Sequence, residues 1–255
     1  MPHVALVADF DITFPNGEIA FQLAVRWIHF VAGITWIGLL YYFNLINVPF
    51  MASLEPETRG KVFPKLMSRS MTWFRWSAVV TVAAGLFYWI YFIVEPDANN
   101  AHAHGIATLG RMTIVWFFVF WTAAFLIEFV VLMLPVQALQ SGPVLGIIVA
   151  IVLIGAGYGW LAFDSHAWES SRLQSIGIGG GIGWFMLLNV WGVIWRIQKK
   201  LIKWTSEAAK NGTPLPAEAA KLSKQALVVS RINLVLTFPL LLFMAAASHY
   251  PFIVE

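Results

Sequence analysis

Arg26-Trp-Ile-His-Phe-Val-Ala-Gly-Ile-Thr-Trp-Ile-Gly-Leu-Leu-Tyr-Tyr-Phe-Asn44 holds a single charged side chain in a run that is otherwise apolar, small or weakly polar. At a rise of ~1.5 Å per residue, ~20 such residues cross the hydrocarbon core of a bilayer. The span runs from about Phe21 to Asn44. Five more of its kind follow, at about Thr72 to Val94, Thr108 to Leu134, Val144 to Phe163, Gln174 to Arg196 and Leu227 to Ala247. Of the 255 residues, 59% are hydrophobic and 11% charged, which leaves too little polar surface to coat a water-soluble globule. The expected fold is all-α: a polytopic helical bundle of six spans, with residues 1–255 forming one transmembrane domain in the lipid bilayer.

Charge orients the bundle. Thirteen of the 16 lysines and arginines fall at the ends or in the loops of one side: Arg59, Lys61, Lys65, Arg69, Arg75, Arg196, Lys199, Lys200, Lys203, Lys210, Lys221, Lys224 and Arg231. The positive-inside rule makes that side cytoplasmic and sends both termini outward, N-out and C-out. The pI of about 9.2 is then a consequence of topology, and no nucleic-acid partner is expected. Residues 197–226, with Asn211-Gly-Thr-Pro-Leu-Pro216, read as a mobile cytoplasmic loop with short helical pieces. The segment up to Glu18 has three acids and no lysine or arginine, so the basic region of a secretory signal peptide is missing and no cleaved leader is expected. The expected location is the bacterial inner (cytoplasmic) membrane, as a multi-pass protein whose outward face meets the periplasm.

All six histidines fall on, or open toward, that outward face. In the first span Arg26, His29, Gly33 and Trp36 share one helical face. An intramembrane Arg or His normally faces the bundle interior or a cavity and marks a functional site. His29 is placed as a cofactor ligand, Gly33 one turn deeper lets a flat macrocycle approach the backbone, and Arg26 one turn shallower suits a haem propionate. The alternative is that His29 donates a hydrogen bond to a neighbouring helix while Arg26 reaches the interface. Span five opens with Ile176-Gly-Ile-Gly-Gly-Gly-Ile-Gly-Trp184, whose glycines, Gly177 and Gly181 among them, fit either a cofactor wall or close helix packing.

His249, after span six, pairs with His29 as axial ligands of a b-type haem, with His166 third in order. His102 and His104 compete for the same role, and as a loop pair they also fit copper or zinc. The absence of cysteine excludes iron–sulfur clusters and a c-type haem attached through C-x-x-C-H, so any haem is non-covalent. Glu128 is the only acid inside a span and calls for a partner or a proton path, with Asn44, Asn47, Asn189 and Asn233 available to join it. No Ser/His/Asp or H-E-x-x-H arrangement is present, which disfavours hydrolysis.

The Arg26–Asn44 stretch, together with Ser230-Arg-Ile-Asn233 and Ser248-His-Tyr-Pro251, resembles the membrane domain of the bacterial membrane-bound urate oxidase (urate hydroxylase) family over nearly the whole chain. The resemblance implies a multi-span domain near a b-type haem or a quinone, with urate oxidation in members that continue into a periplasmic cytochrome c domain. Two departures stand out: no cytochrome c domain is expected here, since C-x-x-C-H is missing, and Ile232 stands where the family pattern has a histidine before the asparagine. A separate periplasmic cytochrome c or a larger redox complex would then accept the electrons. The expected function is a haem b electron-transfer protein, acting as an oxidoreductase or as a subunit of one. The alternatives are a cofactor-free accessory subunit of a respiratory or photosynthetic complex and a urate-oxidising membrane enzyme.

Overall fold

The computed structural model describes residues 16–106, 108, 110–164, 168–247, 249–250 and 253. Among them, six helices are long and apolar enough to cross a membrane: α1 (Gly17–Ser53), α2 (Pro56–Ala103), α3 (Gly110–Met133), α4 (Gly142–Phe163), α5 (Ser171–Asn211) and α6 (Ala219–Ala246). No strand occurs among the described residues. Large apolar side chains point outward along the spans, with Ile34 74%, Ile154 72% and Tyr158 76% exposed. Contiguous apolar exposure on this scale fits a lipid-facing surface, and the chain is a multi-pass membrane protein.

Local chemistry sets the helix ends. Asn16 caps α1 by accepting from the Ile19 amide at 2.9 Å, and Ser170 caps α5 by accepting from the Leu173 amide at 3.1 Å. Pro56 opens α2 at a position where its missing N–H costs nothing. Gly212, at φ 68°, ends α5 in the left-handed conformation that glycine adopts without a Cβ penalty. Single π-helical turns interrupt α1 at Tyr42–Asn47, α2 at Ile90–Val94 and α5 at Val190–Ile194.

Residues 197–226 depart from the loop expected there. Helix α5 continues to Asn211 and α6 begins at Ala219, so only the short stretch between them is non-helical. The continuation is amphipathic: Ile197 and Leu201 are buried on one face, while Lys199, Lys200 and Lys210 are exposed on the other. Such a helix holds to the bundle by its apolar stripe without being apolar enough to register as a span.

Helices α1, α2, α5 and α6 form a ring in which consecutive members are neighbours, and the α3–α4 pair packs on α5 outside it. Tryptophan N–H groups pin the helices together. Trp89 donates to the Leu173 carbonyl at 3.1 Å and Trp191 to the Arg75 carbonyl at 3.3 Å, which fixes α2 and α5 as antiparallel. Tyr41 and Thr237 hydroxyls meet at 2.9 Å, and Asn44 donates to the Ser230 hydroxyl at 2.9 Å, which does the same for α1 and α6. The core is aromatic, with Trp36, Trp89, Trp121, Trp160, Phe117 and Phe185 fully buried.

Candidate functional site

A cavity of about 480 Å³ lies inside the four-helix ring. That volume falls within the roughly 300–1,000 Å³ typical of small-molecule and cofactor sites. Its wall draws on Arg26, His29, Gly33 and Trp36 from α1, and on Thr81, Gly85 and Tyr88 from α2. Helix α5 contributes Arg172, Gly179, Gly180 and Gly183, and α6 contributes Leu240, Leu241 and Met244. Glycines line it on three helices, Gly33 on α1, Gly85 on α2 and the three on α5, and bring the neighbouring elements close: a Cβ on Gly179 would stand 3.1 Å from Phe243 Cβ.

His29 is held firmly. Its Nδ1 lies 2.7 Å from the Thr81 carbonyl, and since a carbonyl only accepts, Nδ1 carries the hydrogen. The ring seats against the α2 backbone at Gly85, where a Cβ would stand 2.8 Å from both Cε1 and Nδ1 of the imidazole. Nε2 makes no hydrogen bond among the described residues. A histidine fixed by an Nδ1–H···O=C bond, with Nε2 turned to other use, is the arrangement that metal-ligating imidazoles adopt. The interhelical hydrogen bond also serves helix packing, and the two roles are compatible.

Two guanidinium groups sit toward one end of the cavity. Arg172 donates from Nη2 to the Tyr88 hydroxyl at 3.1 Å, and its buried Nε has no partner. Arg26 stands 5.6 Å from the centre of the Phe30 ring. Among the described residues neither arginine enters an ion pair. Two cations beside an apolar, glycine-lined chamber can bind a ligand that is flat and apolar over most of its surface and anionic at one edge.

The remaining expected site residues are placed elsewhere. Gly177 and Gly181 do not line the cavity, because a Cβ at Gly177 would overlap the Trp160 indole and one at Gly181 the Trp121 indole. Both glycines let α5 approach the α3–α4 pair. His249 is exposed beyond the end of α6 with its ring 6.4 Å from that of Tyr250, outside the cavity wall. His166 lies outside the described residues. His102 and His104 are engaged separately, His102 with the Thr108 hydroxyl at 2.8 Å and His104 with the Asn100 carbonyl at 2.8 Å.

Glu128 is buried in α3 beside Asn189, yet neither carboxyl oxygen makes a hydrogen bond of good geometry. Asn189 donates to Asn233 Oδ1 at 3.0 Å and Asn233 to the Met186 carbonyl at 3.1 Å, which leaves Asn189 Oδ1 without a donor. Asn44 and Asn47 do not join this group; Asn47 donates to the Met67 sulfur at 3.7 Å.

Sequence reading missed Thr81, Gly85, Tyr88, Arg172 and Met244 as members of the cavity wall. A signal existed for the first three, since i, i+4 and i+7 spacing puts them on one face of α2. Arg172 is one of only three lysines or arginines outside the thirteen that cluster toward one side of the spans, which also marks it.

Compared with known families, residues 56–255 match the family model described as urate oxidase N-terminal, and the chain belongs to that family. The match begins at the start of α2, so it includes Gly85, Arg172 and Met244 and leaves out Arg26, His29 and Gly33 of α1. No curated protein and no solved structure matches the chain.

Proposed function

We propose that this protein is a b-type haem electron-transfer protein of the bacterial cytoplasmic membrane, exchanging electrons with a periplasmic carrier such as cytochrome c. The observation that carries the reading is His29, whose ring is fixed through Nδ1 and lines a chamber with Arg26 and Arg172 at one end. The residues present fit the group: an imidazole for the iron, glycine-lined walls for the macrocycle and, for the propionates, two guanidiniums with no ion-pair partner among the described residues. Bound there, haem supplies reversible one-electron chemistry. Thr81 holds the imidazole in the tautomer that leaves Nε2 available, Gly85 gives the ring its seat, and Tyr88 steadies Arg172. Trp36, Trp89 and Phe117 give the chamber a buried aromatic wall.

The orientation belongs to the same proposal. The arginine end of the cavity lies opposite the end that carries Arg59, Lys61, Lys65 and the α5 extension, and the positive-inside rule supports a periplasmic side for the arginine end. Purified protein is expected to give a reduced-minus-oxidised spectrum of b-type haem, lost on His29→Ala. A colourless preparation would replace this reading with that of a cofactor-free subunit of a larger redox complex. Reduction of the haem by urate alone would add the activity that the family's description suggests.

A further inference from the structure

We infer that Met244, through its thioether sulfur, is the second axial ligand of the haem proposed above, facing His29 across the cavity; the inference rests on that reading. Helices α1 and α2 make one side of the ring, with His29 at their seam against Thr81 and Gly85. Helices α5 and α6 make the other side, with Met244 at their seam: a Cβ on Gly179 would stand 3.2 Å from Met244 Cε. Both residues line the same chamber.

Their depths are close by an independent route. In the antiparallel α2–α5 pair Trp89 lies beside Leu173 and Arg75 beside Trp191. Counting at equal rise from the first contact puts Gly85 level with Gly177 and Thr81 with Gly181, and from the second Gly85 with Gly181 and Thr81 with Phe185. His29, which touches both Thr81 and Gly85, therefore falls level with Gly179 by the first count and Gly183 by the second, both on the cavity wall, and Gly179 is where Met244 packs. On α6 the Asn44–Ser230 contact carries His29 level with Ala245, and the Tyr41–Thr237 contact level with His249, just past the helix end.

The two seams lie on opposite sides of a chamber that α5 lines with Gly179, Gly180 and Gly183 beside Ile176 and Arg172. No second imidazole among the described residues lines it, and Met244 is the one soft donor across from His29. His249 lies five residues further on, past the end of the helix and exposed. A methionine that merely filled space would be replaceable by leucine, whose volume is close to its own. That substitution separates the two roles.

The experiment compares purified full-length parent, Met244→Leu and Met244→His by visible and electron paramagnetic resonance spectra, redox titration and carbon monoxide binding. The parent is expected to be low-spin, to show the far-red sulfur-to-iron charge-transfer band when oxidised, and to resist carbon monoxide when reduced. Met244→Leu should lose the band, turn high-spin and bind carbon monoxide, while Met244→His should return to low-spin without the band and at a lower midpoint potential. Low-spin haem with an unchanged band in Met244→Leu overturns the inference and leaves the haem reading intact. Haem lost from Met244→Leu and not regained in Met244→His also overturns it, because a ligand role requires the imidazole to serve. A colourless parent overturns both.

Discussion

Replacing Gly85 by alanine tests whether His29 is seated as described. The new Cβ would stand 2.8 Å from the imidazole Cε1 and Nδ1, closer than side-chain carbons approach, so the ring has to move. It cannot slide freely, because Nδ1 is tied to the Thr81 carbonyl at 2.7 Å in the adjacent turn of the same helix. Forcing a methyl into a packed seam costs about 1–3 kcal/mol. Weakening an interhelical hydrogen bond within a membrane costs roughly 0.6 kcal/mol more. Removing a helix-interior glycine returns about 1 kcal/mol. The balance is a loss of about 0.6–2.6 kcal/mol, read as a lower midpoint of thermal or detergent-induced unfolding, with a parallel fall in haem content.

Gly33→Ala is the internal reference. Its Cβ would meet Thr81 Cγ2 at an ordinary 3.5 Å, so stability should hold or rise while the methyl takes room from the cavity. If Gly85→Ala matched Gly33→Ala in stability and in haem content, the seating of His29 against α2 would be wrong.

Three further outcomes follow from the packing. Gly177→Ala and Gly181→Ala should each prevent stable folding, since Trp160 and Trp121 are fully buried and have nowhere to go; recovery of folded protein at parental yield would refute that packing. Arg26→Gln and Arg172→Gln should each weaken haem retention by about 1.5–3 kcal/mol, roughly ten- to a hundred-fold, measured by transfer of haem to an acceptor protein; equal retention would remove the arginines from the site. Glu128→Gln should be no less stable than the parent and gain up to about 1 kcal/mol, because the amide N–H supplies the donor that Asn189 Oδ1 lacks; a drop larger than that in the unfolding midpoint would mean that Glu128 acts as a paired anion.

The six spans were legible because a bilayer demands ~20 apolar residues in a row, and nothing else in the chain satisfies that. What hydropathy could not reveal is where the helices end. The polar residues of α2 before Thr72 and of α5 after Arg196 continue the same helices outside the apolar window, and only the burial of Ile197 and Leu201 shows why the second holds. Within α1, the 3.6-residue period puts Arg26, His29 and Gly33 on one face, and the structure directs that face at the cavity.

The period gives faces and says nothing about neighbours. Gly177 and Gly181 lie on one side of α5 and Gly179 and Gly183 on nearly the opposite side, with no sequence signal to tell which side meets tryptophans and which meets the cavity. For the same reason Gly85, the seat of His29, looked like any small residue in a span. Met244 looked like any apolar residue near a helix end.

The central claim is that His29 holds a haem in this cavity. The most direct measurement is a reduced-minus-oxidised visible spectrum with pyridine haemochrome analysis, on the purified parent and on His29→Ala side by side. The account predicts a b-type spectrum in the parent, lost or reduced to a trace in the variant while the folded protein remains. A colourless parent, or a variant with the parent's spectrum and haem content, would contradict it.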